Sequence, residues 1–184
     1  MTSADVGDEA VQRPRESALL VTIGEAEPVV GALRVRLDAA AAARVPAHVT
    51  VLWPFLPADA VDHRVLDRLA TLFAAHPPFD VRFERTAWFD DTVLWLAPLP
   101  REPFVELTRA VWNAYPQCPP YGGRHAGEHP HLTIGDRRPV ADLLEAEQVV
   151  LPQLPISARV EQVTLMAQDS RQGSWAVVTA FPLG

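Results

Sequence analysis

The sequence predicts an α+β domain of two duplicated lobes, each a mixed, largely antiparallel sheet with helices outside, the two sheets facing a central cleft. Three observations predict it. Apolar runs of strand length alternate with segments of helical periodicity. Strand-like runs also stand side by side across turns as short as Asp90-Asp91, which permits only an antiparallel hairpin. A third observation is that the order of elements around one short pattern, His-x-Thr, occurs twice, at residues 48–50 and 131–133.

Taken in order, residues 17–23 form the first strand, and Val29, Val30, Leu33 and Leu37 mark one apolar face of a helix in the segment to Ala43, with Val35 breaking the pattern. Residues 48–53 read as a short buried strand closed by Pro54. Asp59 suits the N-cap of a helix with Val61, Val65, Leu69, Leu72 and Phe73 at helical spacing, ended by Pro77-Pro78. Strands at 79–89 and 92–97 follow. A helix from about Glu102 has Pro103 in its first turn and a stripe of Phe104, Leu107, Val111, Trp112 and Tyr115. A proline- and glycine-rich loop at 116–130 leads into a strand at 131–135, then a helix at 139–150 and strands at 156–167 and 175–181.

The repeated order implies that residues 17–184 are a single domain of two pseudo-symmetric lobes, with residues 1–16 a disordered tail. Echoes accompany it: Arg82-Phe83-Glu84 follows the first motif much as Arg159-Val160-Glu161 follows the second. With 48% hydrophobic and 21% charged residues, the chain can build a core. Its net charge of -7 argues against a long nucleic acid as partner, because such binding depends on many cationic contacts to phosphates, while a small phosphorylated ligand is easily accommodated. One cysteine, Cys118, supports neither an internal disulfide nor a cysteine-rich zinc site. No apolar run is long enough for a membrane span, so the expectation is a soluble, cytoplasmic monomer.

Side chains at i and i+2 of a strand share a face, so His48 and Thr50 project together, as do His131 and Thr133. Across a cleft the two pairs would enclose one tetrahedral phosphate. One imidazole would take a proton from the attacking water or hydroxyl and the other would give one to the leaving oxygen, a task suited to a side chain with a reference pKa of about 6.5. The threonine hydroxyls would donate to non-bridging oxygens. This chemistry requires no metal and no cofactor.

His48-Val49-Thr50 with Trp53-Pro54-Phe55, together with Pro130-His131-Leu132-Thr133-Ile134, resembles the 2H phosphoesterase superfamily, and especially its bacterial 2′-5′ RNA ligase-like branch. The resemblance covers nearly the whole chain after the tail. It implies a bilobal α+β fold and hydrolysis of 2′,3′-cyclic or similar phosphodiesters, or of 2′-5′ linkages, on a nucleotide or RNA end. His48, Thr50, His131 and Thr133 match the family's catalytic positions. Because some relatives carry a basic side chain shortly after the second motif, Arg137 and Arg138 are secondary candidates for substrate binding.

Two more candidates are Trp53, placed to stack on a nucleobase, and Arg124, which could reach a second phosphate from its loop. His125, His129 and His131 lie close together but follow no established zinc spacing. The principal rival to an enzyme is a non-catalytic module that binds a nucleotide or phosphate in the same cleft.

Overall fold

The computed structural model describes residues 15–124, 129–169 and 173–184. Its strands are β1 (Ser17–Thr22), β2 (His48–Leu52), β3 (Phe79–Phe89), β4 (Val93–Leu99), β5 (Leu132–Asp136), β6 (Ile156–Val160), β7 (Gln162–Gln168) and β8 (Trp175–Pro182). The helices are α1 (Glu27–Leu37), α2 (Ala39–Ala42), α3 (His63–Phe73), α4 (Glu102–Ala114) and α5 (Val140–Val150). Two four-stranded sheets result, in the orders β2-β1-β7-β8 and β5-β4-β3-β6. Every strand pair among the described residues is antiparallel, so neither sheet carries a parallel neighbour.

The sheets share a plan. In each, the strand of the His-x-Thr motif is an edge, and its inner neighbour is the strand one helical connection earlier in the chain. The helices are exchanged: α1, which leads toward β2, packs on β5, while α4, which leads toward β5, packs on β2. The two edges approach each other at a central seam without pairing as strands.

Strand alternation then sorts the side chains. Val49, Val51, Leu132 and Ile134 turn into the core with Leu19, Val21, Leu94 and Leu96, leaving His48, Thr50, His131 and Thr133 half-buried. That core is continuous through both sheets and takes Val30 and Leu37 from α1, Phe73 from α3, Leu107 from α4 and Leu143 from α5. Each such fully buried apolar side chain contributes roughly 1.5–3 kcal/mol.

Several elements differ from the sequence expectation. The strand expected at 156–167 is two strands, and the chain passes from one sheet to the other at Glu161. Ile156, Ala158 and Val160 alternate, and Val163 and Leu165 resume one residue out of phase after Glu161-Gln162; such a break also fits a bulge within one strand and does not say which sheet receives each half. Arg82-Phe83-Glu84 and Arg159-Val160 fall on neighbouring strands of one sheet, with Glu161 just beyond and Arg159 donating to Asp80 at 3.0 Å, so this echo does not relate the two sheets. Asp62 rather than Asp59 caps α3, its carboxylate accepting from the Val65 amide at 2.9 Å. Arg15 and Glu16, assigned to the tail, are bonded: Ala58 donates to the Arg15 carbonyl and Gln168 to that of Glu16, both at 2.9 Å.

Candidate functional site

His48 opens β2 and His131 immediately precedes β5. Each ring is held in the same way, Nδ1 lying 2.7 Å from the carbonyl oxygen two residues upstream, of Pro46 and of His129 respectively. In both approaches a proline, Pro46 or Pro130, restricts the backbone just before the ring. A carbonyl can only accept, so Nδ1 carries the proton in each neutral imidazole.

The His48 imidazole is lowered from the usual 6.5 to about 4. Burial is the largest cause, followed by the Arg34 cation; the Pro46 carbonyl and Asp38 act in the opposite direction, and His131 adds to the lowering. That last influence places the two rings within electrostatic reach of one another. His48 is therefore neutral throughout the physiological range.

The 116–130 loop supplies a residue that stands between the motifs. Tyr121 has its ring nearly parallel to His131, with centroids 6.3 Å apart and 21° between planes. Its hydroxyl is hydrogen-bonded to the Thr50 side chain, and burial raises it above the ordinary phenol value. The Tyr121 backbone is left-handed, with φ 52°, and its amide donates to the Trp53 carbonyl at 2.6 Å. Gly122 and Gly123, with φ of 64° and 80°, continue this turn, which an L side chain would resist.

Sheet neighbours line the other flank. Trp95 pairs with Thr133 across β4 and β5 and stacks on Phe89 at 4.7 Å. Both rings meet His131 edge-on, Phe89 at 5.0 Å and Trp95 at 5.9 Å. Among the described residues, the buried Trp95 Nε1 has no hydrogen-bond partner.

Arg34, which sequence periodicity did not single out, lies behind the seam and is 1% exposed. Its Nε donates to the Thr133 carbonyl at 3.0 Å, one terminal nitrogen to the Val45 carbonyl at 3.3 Å, and the other to Asp38 at 2.8 Å. Asp38 also accepts from the Ala40 amide at 2.9 Å, which explains why the helical segment breaks there into α1 and α2. Val35, on the opposite side, is 67% exposed.

The other candidates are distributed differently. Trp53 is exposed near the site, its indole donating to Glu16 at 3.1 Å and its ring edge-on to Tyr121 at 6.4 Å. Arg124 is exposed at the end of the Tyr121 turn. Arg137 lies beyond the far end of β5, exposed and 3.8 Å from Asp136. Arg138 donates to the Leu37 carbonyl at 3.2 Å and so closes the end of α1. Neither of these last two arginines is brought to the imidazoles, since β5 carries the chain away from them. His125 lies outside the described residues; among those described, no group of three or more His, Cys, Asp and Glu is arranged to hold a metal ion. No described helix is long and apolar enough to cross a membrane.

Comparison with known proteins agrees with this architecture. The family model of the 2'-5' RNA ligase superfamily matches residues 23–172. Similar solved structures include Escherichia coli LigT complexed with 3'-AMP, at 16% identity and TM-score 0.59, covering 93% of this chain and 99% of that one. LigT complexed with NADP+ aligns at 19% identity and TM-score 0.57, covering 92% and 98%. TT0787 of Thermus thermophilus aligns at 19% identity and TM-score 0.58, covering 91% and 97%. At these identities the likeness concerns the fold. No curated protein matches the chain.

Proposed function

Since the chain belongs to the 2'-5' RNA ligase superfamily, we propose that it is a metal-independent phosphoesterase hydrolysing 2′,3′-cyclic phosphodiesters or 2′-5′ linkages of a nucleotide or RNA end. The observation that carries this reading is the matched pair of Nδ1–carbonyl bonds, each 2.7 Å, because it leaves proton exchange with substrate to Nε2 of each ring. The 3'-AMP and NADP+ complexes of LigT support a small nucleotide as ligand.

His48, neutral at physiological pH, acts as the base: its Nε2 takes a proton from water as the water oxygen bonds to phosphorus. The bond from phosphorus to the departing ribose oxygen breaks, and His131 protonates that oxygen. Thr50 and Thr133 donate to the non-bridging oxygens, where negative charge accumulates. Ring closure in the reverse direction uses the same groups with their roles exchanged.

Purified protein assayed against 2′,3′-cyclic nucleotides, 2′-5′ dinucleotides and RNA ending in a cyclic phosphate tests the proposal. Turnover that persists in chelator supports it. Calorimetric binding without product after long incubation points instead to the non-catalytic binding module.

A further inference from the structure

The motif strands β2 and β5 are sheet edges that meet without a strand pairing, so nothing in the backbone ladder sets how far apart their side chains stand. Edge carbonyls turned into a protein interior need donors. Here side chains of the exchanged helices provide them. Thr108 of α4 donates to the Val51 carbonyl of β2 at 2.8 Å, and Arg34 of α1 donates to the Thr133 carbonyl of β5 at 3.0 Å. Arg34 goes further than Thr108, because it also reaches the Val45 carbonyl, three residues before His48.

We propose that Arg34 is the positioning residue of this site: anchored by Asp38, its guanidinium ties β5 at Thr133 to the entrance of β2 at Val45 and so sets the spacing of the two motifs. The kinetic part of this inference rests on the function proposed above, whereas the tie itself does not. On the buried face of α1, Val30, Arg34 and Leu37 are i, i+4 and i+7, so an aliphatic residue would complete an apolar stripe. A buried charge is costly unless paired and hydrogen-bonded, and apolar replacements of such ion pairs are often no less stable. Stability alone therefore gives little reason for an arginine here. Its planar fork reaches three acceptors in different directions, which the single ammonium of lysine cannot reproduce.

The charged and titratable groups around the His48 ring are Arg34 and Asp38 from the α1 side and His131 from the β5 side, with Glu27 bonded to the neighbouring Ala47 amide. Charge and geometry can be separated. Arg34→Lys keeps the cation but loses the fork; Arg34→Met keeps much of the volume and loses both. With a 2′,3′-cyclic nucleotide as substrate, kcat falls roughly tenfold or more in each variant while KM moves less, as expected when reacting groups are misplaced. By NMR, His48 continues to titrate near its wild-type position in Arg34→Lys and at higher pH in Arg34→Met.

A folded variant of either kind with kcat within twofold of wild type overturns the proposal. Should neither variant fold, the wild-type protein decides: slow hydrogen exchange at Arg34 Nε supports the tie, and exchange as fast as at an exposed arginine overturns it. Wild-type protein that turns over no cyclic nucleotide removes the proposed activity, and the exchange and titration measurements then judge Arg34 by themselves.

Discussion

Tyr121 bridges the two motifs, lying nearly parallel to His131 with ring centroids 6.3 Å apart while its hydroxyl is bonded to Thr50. One side chain thus orients a hydroxyl from β2 and an imidazole beside β5. Removing only the phenol oxygen in Tyr121→Phe keeps the stack and releases Thr50. A single hydrogen bond is worth about 0.5–1.5 kcal/mol net, so kcat/KM for a cyclic nucleotide falls roughly two- to tenfold. Tyr121→Ala loses the stack as well and falls further. Equal activity in wild type and both variants removes Tyr121 from the site.

His48 makes stability depend on pH. Its folded-state value is about 4 against an ordinary 6.5, so between these limits the unfolded chain holds more protons than the folded one. Stability therefore rises with pH across this window: the contribution is fully present above 6.5 and is lost as pH falls to about 4. The upper limit is about 3 kcal/mol. Urea unfolding at a series of pH values shows a steeper loss on acidification for wild type than for His48→Gln. Parallel curves contradict the assignment.

Gly135 lies where α1 and α5 press on β5. A methyl group there would meet Leu143 at 2.5 Å and Leu37 at 3.0 Å. Gly135→Ala forces those side chains aside and costs roughly 1–3 kcal/mol, read as a lowered Tm. Shortening one obstruction in the double variant Gly135→Ala, Leu143→Val recovers part of that loss relative to Leu143→Val alone. If the single variant melts with wild type, the contact is looser than described.

The arginines after the second motif separate structure from activity. Arg137→Ala leaves turnover within twofold of wild type, because its side chain is exposed beyond the end of β5. Arg138→Ala breaks the bond to the Leu37 carbonyl and costs about 1 kcal/mol of stability at nearly unchanged kcat/KM. A large rise in KM for either variant returns it to the substrate site.

Both motif strands were legible because period-two alternation assigns His48 and Thr50 to one face and Val49 and Val51 to the other, without tertiary information. Arg34 was not, since an arginine on an apolar helical stripe displays locally only its i+4 partner Asp38, and nothing there foretells the Thr133 carbonyl of a strand far along the chain. Tyr121 was hidden for a related reason: its turn is marked by Gly122-Gly123, yet a turn signal does not say toward which strand a loop folds. The sheet change at Glu161 shows in the sequence only as the adjacent polar residues Glu161-Gln162, which shift the phase of alternation as a bulge within one strand also would.

The central claim is that two imidazoles act together on one phosphodiester. Phosphorus NMR of a 2′,3′-cyclic nucleotide incubated with wild type, His48→Ala and His131→Ala tests it most directly, with folding of each variant checked by circular dichroism. The cyclic resonance should give way to a monoester resonance with wild type alone. Conversion at the wild-type rate by either alanine variant contradicts the account.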